Sequence, residues 1–344
     1  MIVVMQTTAS KEQISAVVER VEEIGLAAHL SQGEERTIIG VVGILPPTLE
    51  EMLEVYGGVE RVVRVSSKIK LANWQFHPRK TKIRILDFEI GGDEVTVIAG
   101  PCSVESEEQT MSTARAVKAA GAKMLRGGAF KPRTSPYEFR GLGKRGLEIL
   151  AQAREETGLG VITEVMTPAD VEQVREYTDV FQIGARNSQN YYLLEEVGKA
   201  GKPVMLKRGL SMLIEEWLLA AEYILSQGNP DVILCERGIR TYEKETRNTL
   251  DLAAVPVVQR MSHLPIFVDP SHAAGKRPYV AALALGAVAA GADGLMMEVH
   301  PNPDHALSDG MQSLNFAEFA ELMPRISAVA SAVGKSLPIH EPVS

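Results

Sequence analysis

Cationic side chains follow several short apolar runs of the chain, and their spacing points to an anion site. They are Arg126, Lys131, Arg133, Arg186, Lys207 and Arg237. Arginine forks match phosphate and carboxylate oxygens in pairs, and nearby glycines let the backbone approach an anion closely. Residues 126–136 contain three cations and no acid, although the whole chain carries a net charge of −8. A single cation of this kind commonly pairs with a carboxylate or faces water, whereas the whole set predicts a site for a phosphorylated, multiply anionic substrate.

A second set of residues could hold a metal ion. It combines a thiol, an imidazole and two carboxylates from distant parts of the chain: Cys102, His272, Glu298 and Asp309. A mixed set of sulfur, nitrogen and oxygen donors favours a divalent transition metal such as Mn, Fe, Co, Zn or Cu over Mg or Ca. A lone cysteine or histidine is more often a buried structural residue, which is how we interpret Cys235, His300 and His305.

The order of apolar and amphipathic segments indicates which fold would bring these two sets together. From residue 95 onward, short apolar runs alternate with segments of helical periodicity. The runs are 95–99, 123–125, 161–163, 180–183, 204–206, 232–234, 266–268 and 294–297. Repeats of this kind over about 240 residues predict an α/β fold, a (β/α)8 TIM barrel. A doubly wound sheet is disfavoured because no Gly-x-Gly-x-x-Gly motif follows the first run.

A barrel of this type would place both sets of residues at one rim. Active sites of such barrels form at the carboxyl ends of the strands, and both sets follow the ends of predicted strands. The first and last strands are neighbours in a closed barrel, so Cys102 and Glu298 are expected to converge despite their separation in sequence.

The first 67 residues differ from the rest of the chain. Their periodicities follow the order β-α-β-β-α-β, which predicts a small ferredoxin-like unit. Such a unit either assists folding and assembly or binds a small regulatory ligand, and the pattern alone leaves both open. We expect a linker and hairpin over 68–94, a catalytic barrel over 95–333 and a tail over 334–344.

Composition excludes several classes of protein. With 344 residues, of which 45% are hydrophobic, the chain is long enough for two domains and too apolar for disorder. Its two cysteines exclude a disulfide scaffold and favour a reducing, cytoplasmic location. No apolar run reaches the ~18–20 residues of a membrane helix, and a net acidic chain is a poor general binder of nucleic acid. We therefore expect a cytoplasmic enzyme with neither a membrane nor a nucleic-acid partner.

Several short motifs resemble, in order, those of the type I 3-deoxy-D-arabino-heptulosonate 7-phosphate (DAHP) synthases of the beta subgroup. They are Ala99-Gly-Pro-Cys-Ser, Lys131-Pro-Arg-Thr-Ser, Gly184-Ala-Arg-Asn, Leu206-Lys-Arg-Gly, Cys235-Glu-Arg-Gly, Asp269-Pro-Ser-His, Met297-Glu-Val-His and Leu307-Ser-Asp-Gly. The resemblance runs from Met1 to about Val333, because members of this subgroup carry a ferredoxin-like regulatory extension. It implies condensation of phosphoenolpyruvate with erythrose 4-phosphate, the first step of the shikimate pathway to the aromatic amino acids.

The resemblance also implies a role for each matching position. The metal ligands would be Cys102, His272, Glu298 and Asp309. Phosphoenolpyruvate would be held by Arg126, Lys131, Ala185, Arg186, Lys207 and Arg237. Erythrose 4-phosphate would be bound by Arg133, Thr134 and Ser135. Lys131, Cys102 and His272 count as catalytic, and Lys131 and a metal-bound water both stay open as the donor of a proton to the aldehyde oxygen.

Regulation and assembly follow from the same resemblance. Residues 1–67 would form a feedback-inhibition domain with tyrosine or phenylalanine as effector. We take His29 and Ser31, on the second predicted strand, as effector contacts, although ordinary surface polar residues would look the same. The family suggests a homotetramer.

Three other interpretations are open. The related 3-deoxy-octulosonate 8-phosphate synthases take arabinose 5-phosphate, but their second-strand loop resembles Lys-Ala-Asn-Arg-Ser-Ser, unlike residues 131–135 here. A Schiff-base aldolase could use Lys207 as its nucleophile, but it would not need the metal set. A non-catalytic sensor built on a barrel would need neither set intact.

Overall fold

The computed structural model describes residues 1–33, 36–46, 48–63, 68–132, 135 and 137–338. The chain divides into two units. Residues 1–80 with 261–263 form what we call the small unit, and residues 81–260 with 264–344 form the barrel unit.

The small unit contains a four-stranded antiparallel sheet and two helices. In chain order its elements are β1 (Ile2–Met5), α1 (Lys11–Glu23), β2 (Ala27–Gln32), β3 (Thr37–Val42), α2 (Leu49–Glu54) and β4 (Val59–Val63). The strand order in the sheet is β2-β3-β1-β4. Helix α1 begins at a capping box, in which Ser10 Oγ accepts from Gln13 N and Gln13 Oε1 accepts from Ser10 N. The predicted ferredoxin-like order is confirmed.

Both faces of this sheet are apolar, because its residues alternate between two clusters. One cluster joins Val3 and Ile39 to residues of both helices, among them Val17 and Leu53. The other joins Ile2, Val4 and Ile38 to Phe76. A Cβ at Gly40 on β3 would lie 2.3 Å from Phe76 Cε2, so glycine is required where the ring covers the strand.

The barrel unit contains a closed barrel of parallel strands in the order β10-β11-β12-β13-β14-β7-β8-β9. The strands are β7 (Thr96–Gly100), β8 (Met124–Arg126), β9 (Gly160–Glu164), β10 (Val180–Ile183), β11 (Val204–Lys207), β12 (Val232–Glu236), β13 (Ile266–Val268) and β14 (Gly294–Glu298). Strand β14 closes on β7 with Glu298 opposite Gly100. The predicted (β/α)8 fold is confirmed.

Helices connect the strands and cover the barrel. They are α3 (Glu107–Ala119), α4 (Lys144–Thr157), α5 (Val171–Arg175), α6 (Tyr191–Lys199), α7 (Ile214–Leu225), α8 (Ala254–Met261), α9 (Pro270–Ala274), α10 (Arg277–Ala289) and α11 (Phe316–Ala332). None of the helices in the described part of the chain combines the length and the hydropathy needed to cross a bilayer.

A hairpin fills the barrel interior at the end away from the candidate site. It consists of β5 (Ile83–Ile85) and β6 (Phe88–Ile90), paired antiparallel as the sequence predicts. Its buried residues share one core cluster with interior residues of the strands, such as Met124, Val180 and Ile233. Met124 and Val180 are the first residues of their strands, so the hairpin closes the amino ends and leaves the carboxyl ends open.

Candidate active site

A cavity of about 760 Å³ opens at the carboxyl ends of the barrel strands. Residues singled out from the sequence line part of it, namely Lys131, Ala185, Arg186, Lys207, Arg237, His272 and Asp309. Cys102 and Glu298 are buried and contact the lining residues Lys131 and His272, while the buried Arg126 pairs with Glu298 behind them. The cavity therefore joins the cationic set and the donor set that the sequence separates.

The structure brings the four proposed metal ligands together. One ligand atom each of Cys102, Glu298 and Asp309 lies within 4.8 Å of the other two. His272 Nε2 lies 3.4 Å from Glu298 Oε1 and 3.7 Å from Asp309 Oδ2, so the imidazole lies next to two members of this group. We call these four residues the donor cluster.

Each member of the donor cluster is placed by a strand end or the loop after it. Cys102 follows β7, Glu298 ends β14, and His272 lies on α9 directly after β13. Asp309 lies in a loop, and its backbone is left-handed, with φ of 52°. A non-glycine residue in that region is uncommon and is held by its surroundings.

Asp269 fixes the orientation of His272. Its Oδ2 accepts from His272 Nδ1 at 2.6 Å, and its Oδ1 accepts from the His272 backbone N at 2.9 Å. The Nδ1–H of the imidazole is thereby used, which leaves Nε2 to face the donor cluster, an arrangement typical of metal-binding histidines. Burial opposes ionisation of Asp269, but His272 and Lys207 outweigh it and hold the pKa of this carboxyl well below its usual value.

Lys207 shares the same carboxylate. Its Nζ donates to Asp269 Oδ2 at 2.5 Å, and both side chains are buried. Asp269 thus connects a cation of the proposed substrate site to a member of the donor cluster.

Cations of the site are buried with few acidic partners. Arg126 pairs with Glu298, yet its Nε is buried and has no hydrogen-bond partner among the described residues. Arg237 is 5% exposed, and its guanidinium reaches only the backbone oxygens of Gly238 and His272 in the described part of the chain. Burial lowers the pKa of Arg237, with Asp269 opposing this. Buried charges are normally paired, so Arg237 indicates a place for an external anion, whereas the charge of Arg126 is paired with Glu298.

Lys131 links the cationic residues to the donor cluster. Its Nζ donates to the backbone oxygen of Cys102 and to Cys102 Sγ, both at 3.0 Å. Burial disfavours the ammonium, but Cys102 and Glu164 together oppose this effect, and the pKa of Lys131 is raised.

Of the three residues predicted to bind the aldose phosphate, the structure describes one. Arg133 and Thr134 lie outside the described residues. Ser135 is described, and its Oγ accepts from Tyr137 N at 3.3 Å, but it does not line the cavity.

The predicted effector contacts lie in the small unit. On the sheet, His29 is opposite Gly40 and Ser31 is opposite Ile38, so both side chains share the face that carries Phe76. His29 Nε2 is buried without a hydrogen-bond partner among the described residues, and this burial lowers the pKa of His29.

Several cavity residues were not identified from the sequence. They are Glu164, Gln182, Arg240, Arg247 and Asn248. Glu164 ends β9 and could have been found by reading every strand end, whereas Arg247 lies in a long segment between β12 and α8 that carries no such signal.

The protein is thus a (β/α)8 barrel that carries a cationic cavity beside a cluster of sulfur, nitrogen and oxygen donors. The chain belongs to the DAHP synthetase I family, whose profile matches residues 67–333. The profile of the DAHP synthase ferredoxin-like domain matches residues 1–67.

Individual relatives agree with this assignment. The chain is 51% identical to the phospho-2-dehydro-3-deoxyheptonate aldolase of Thermotoga maritima, over 97% of this chain and 99% of the relative. A crystal structure of a DAHP synthase from Thermotoga maritima matches with a TM-score of 0.78 and 50% identity, over 98% of this chain and 99% of that one. A truncated form matches with a TM-score of 0.73 and 50% identity, over 78% of this chain and 98% of that one. The 2-dehydro-3-deoxyphosphooctonate aldolase of Syntrophobacter fumaroxidans is 33% identical, over 70% of this chain and 90% of the relative.

Proposed function

We propose that this protein condenses phosphoenolpyruvate, erythrose 4-phosphate and water to DAHP and phosphate. The observation that carries the proposal is the buried Arg237, whose guanidinium reaches only backbone oxygens in the described part of the chain, in the same cavity as His272 and Asp309 of the donor cluster. Family membership and the 51% identical relative support the same reaction.

Phosphoenolpyruvate fits the cationic part of the cavity. It carries about three negative charges, and preorganised cations both position such a substrate and stabilise the charge that develops during reaction. We assign this role to Arg126, Lys131, Arg186, Lys207 and Arg237, together with the backbone of Ala185. Because Arg126 also contacts Glu298, the substrate would lie next to the donor cluster.

The donor cluster fits a divalent transition metal. A thiol, an imidazole and two carboxylates suit Mn, Fe, Co, Zn or Cu better than Mg or Ca, and Asp269 supplies the outer carboxylate that metal-binding histidines usually have. A metal bound by Cys102, His272, Glu298 and Asp309 would supply Lewis acidity to polarise the aldehyde.

The remaining chemistry falls to the side chains. The C3 atom of phosphoenolpyruvate attacks the aldehyde carbon, water adds at C2, and phosphate leaves by cleavage of its C–O bond. The aldehyde oxygen must gain a proton, and we assign Lys131 Nζ as its donor because it lines the cavity and contacts the donor cluster.

The competing interpretations predict different substrates or adducts. An imine-forming lysine must be neutral, whereas Lys207 is held in a buried ion pair with Asp269. The 33% identity to a 2-dehydro-3-deoxyphosphooctonate aldolase keeps arabinose 5-phosphate as the alternative aldose.

The test is an assay of the metal-stripped full-length protein with phosphoenolpyruvate and either aldose phosphate. We expect turnover with erythrose 4-phosphate that returns when Mn²⁺ is added. Cys102→Ser should lower Mn²⁺ affinity and activity by more than about 100-fold, since even outer-sphere changes cost 10–100-fold. Cys235→Ser is the matched control, because this buried cysteine belongs to the core cluster and not to the donor cluster. Preference for arabinose 5-phosphate, or full activity of Cys102→Ser without metal, would contradict the proposal.

The small unit is proposed to regulate this reaction. The unpartnered Nε2 of His29 on the Phe76 face, with Ser31 beside it, offers polar contacts to tyrosine or phenylalanine as feedback effector. We propose residues 1–67 as this regulatory domain and 95–333 as the catalytic one, working as a homotetramer in the cytoplasm, where Cys102 stays reduced.

A further inference from the structure

Two residues outside the donor cluster hold both of its carboxylates. Gln312 Nε2 donates to Glu298 Oε2 at 2.6 Å, and Arg247 Nη1 donates to Asp309 Oδ1 at 3.1 Å. The same Arg247 nitrogen donates to Gln312 Oε1 at 2.9 Å. These contacts make one continuous connection from Glu298 to Asp309, which we call the Arg247–Gln312 bridge.

The bridge occupies one oxygen of each carboxylate and leaves the other facing the donor cluster. Glu298 Oε1 lies 3.4 Å from His272 Nε2 and also accepts from Arg126 Nη1 at 3.0 Å. Asp309 Oδ2 lies 3.3 Å from Cys102 Sγ. A carboxylate whose second oxygen is already hydrogen-bonded offers a metal ion a single oxygen. Both carboxylates are therefore arranged to bind through one atom.

The backbone that carries Arg247 is fixed against the helix that carries His272. Arg247 N donates to Ala274 O at 3.1 Å, at the end of α9. A Cβ at Gly275 would lie 2.3 Å from Arg247 Cβ, and the φ of Gly275 is +69°. Only glycine allows this close approach, so the chain is built to bring residue 247 to the helix.

Gln312 also supports the unusual backbone of Asp309. Its N–H donates to Asp309 O at 3.2 Å, and Ser313 Oγ donates to the same oxygen at 3.1 Å. Left-handed residues of this kind persist only where several contacts determine them. Gln312 thus acts on Asp309 through the backbone and, by way of Arg247, through the side chain.

We propose that Arg247 and Gln312 are positioning residues that set the metal affinity of the donor cluster by holding Glu298 and Asp309 in one-oxygen geometry. This inference rests on the metal centre proposed above. Ligating carboxylates that lose an outer hydrogen bond usually lose about 10–100-fold in metal affinity.

The experiment is isothermal titration calorimetry, in which Mn²⁺ alone is titrated into metal-stripped full-length protein. Gln312→Met keeps the side-chain length, and Arg247→Met keeps only the inner apolar part of the side chain. Both remove the bridge, and we expect each to weaken Mn²⁺ binding by about 10–100-fold. Arg247→Lys retains a cation and one hydrogen bond, so it should recover part of the loss. Arg240→Met is the matched control because Arg240 is an exposed cation of the same cavity. It should bind Mn²⁺ within about twofold of the wild type, since a solvated charge is screened.

A second readout separates positioning from general loosening. With Co²⁺ in place of Mn²⁺, the visible absorption spectrum of both Met variants should differ in shape from that of the wild type. The reason is that the carboxylate oxygen freed from the bridge can also bind the ion and change its coordination number. Equal Mn²⁺ affinity and an equal Co²⁺ spectrum for the wild type and both Met variants would contradict the proposed role of the bridge. If Gln312→Met fails to fold, Arg247→Met, whose side chain is 38% exposed, decides the question alone. If the wild type and Arg240→Met bind neither ion, the metal centre itself is wrong, and the bridge with it.

Discussion

Cys102 lies below the cavity, between the cation of Lys131 and the carboxylates of Glu298 and Asp309. Burial raises the pKa of its thiol to about 12, and Glu298 adds to this effect, while Lys131 opposes it. A buried thiol of this kind is protonated at neutral pH unless a metal ion displaces the proton. In the metal-free protein, Cys102 is therefore expected to be a poor nucleophile.

The rate of alkylation by iodoacetamide should show that the Cys102 thiol is protonated in the metal-free protein. In metal-stripped Cys235→Ser protein, we expect the rate at Cys102 to be low at pH 7 and to rise about tenfold per pH unit, because only the thiolate reacts. Because the pKa of Cys102 is raised, the fraction of Cys102 that is a thiolate keeps growing at pH values well above the pKa of about 8.5 of a free cysteine. Mass spectrometry at each pH gives the rate, with the unfolded protein in denaturant as control. A plateau near pH 7 would show that Cys102 is already a thiolate.

At the residue scale, the sequence identifies the proposed metal ligands better than it identifies the residues that hold those ligands in place. Cys102, His272 and Glu298 follow or end predicted strands, so the strand-end rule for barrels locates them. Gln312 and Arg247 are separated by 65 positions and meet only through the fold, so no local pattern marks them. Asp269 lies three residues before His272 and was detectable, since a carboxylate beside a metal-binding histidine is a recurring arrangement.

At the scale of elements, the ends of the predicted barrel strands agree with the observed ones to within two residues, an accuracy limited by fraying ends. The run predicted at 123–125 is strand β8 at Met124–Arg126, and the run at 294–297 extends to Glu298. Both shifts bring a charged residue into the strand, since Arg126 and Glu298 satisfy each other in the interior at 3.0 Å. Hydrophobic pattern alone cannot anticipate a buried ion pair.

The junction of β9 and β10 gives a prediction at this scale. Gly184 follows β10, and a Cβ there would lie 2.1 Å from Glu164 Oε1 at the end of β9. Gly184→Ala should therefore displace the buried Glu164 carboxylate from the cavity wall. We expect a loss of about 1–3 kcal/mol in the free energy of unfolding, as for other overpacked sites. We also expect a drop of at least about tenfold in kcat/KM for phosphoenolpyruvate, equivalent to about 1.4 kcal/mol.

A double variant controls for unrelated damage. Glu164→Asp shortens the carboxylate by one methylene, so Gly184→Ala with Glu164→Asp should regain stability relative to Gly184→Ala alone. Urea unfolding and steady-state kinetics measure both effects. If Gly184→Ala unfolds and turns over like the wild type, the close packing of Gly184 and Glu164 is not needed.

At the scale of the whole molecule, the sequence predicts two folds and the structure resolves them into two units. Both folds follow from periodicity, because each unit buries its own apolar faces, with Val3 and Ile39 in one cluster and Met124 and Ile233 in another. The place of segment 261–263 could not be predicted, since it lies between barrel elements but belongs to the small unit. There His263 Nε2 donates to Leu71 O at 2.7 Å, and its ring lies 4.7 Å from that of His77.

Those contacts decide where a truncation should be made to test regulation. Removing residues 1–67 leaves Leu71 and His77 in place for His263, whereas removal through residue 80 would expose a buried imidazole whose pKa burial lowers to about 4. The shorter deletion keeps the barrel and its cavity, and we expect kcat and KM to stay within a factor of about three, because the barrel has its own core. Inhibition by tyrosine or phenylalanine should disappear.

His29→Ala in the full chain is the matched variant, since it keeps the sheet and removes the unpartnered nitrogen. It should weaken inhibition without changing turnover in the absence of effector. Inhibition curves of the three proteins provide the measurement, and equal inhibition of the truncated and intact enzymes would place the effector site in the barrel instead.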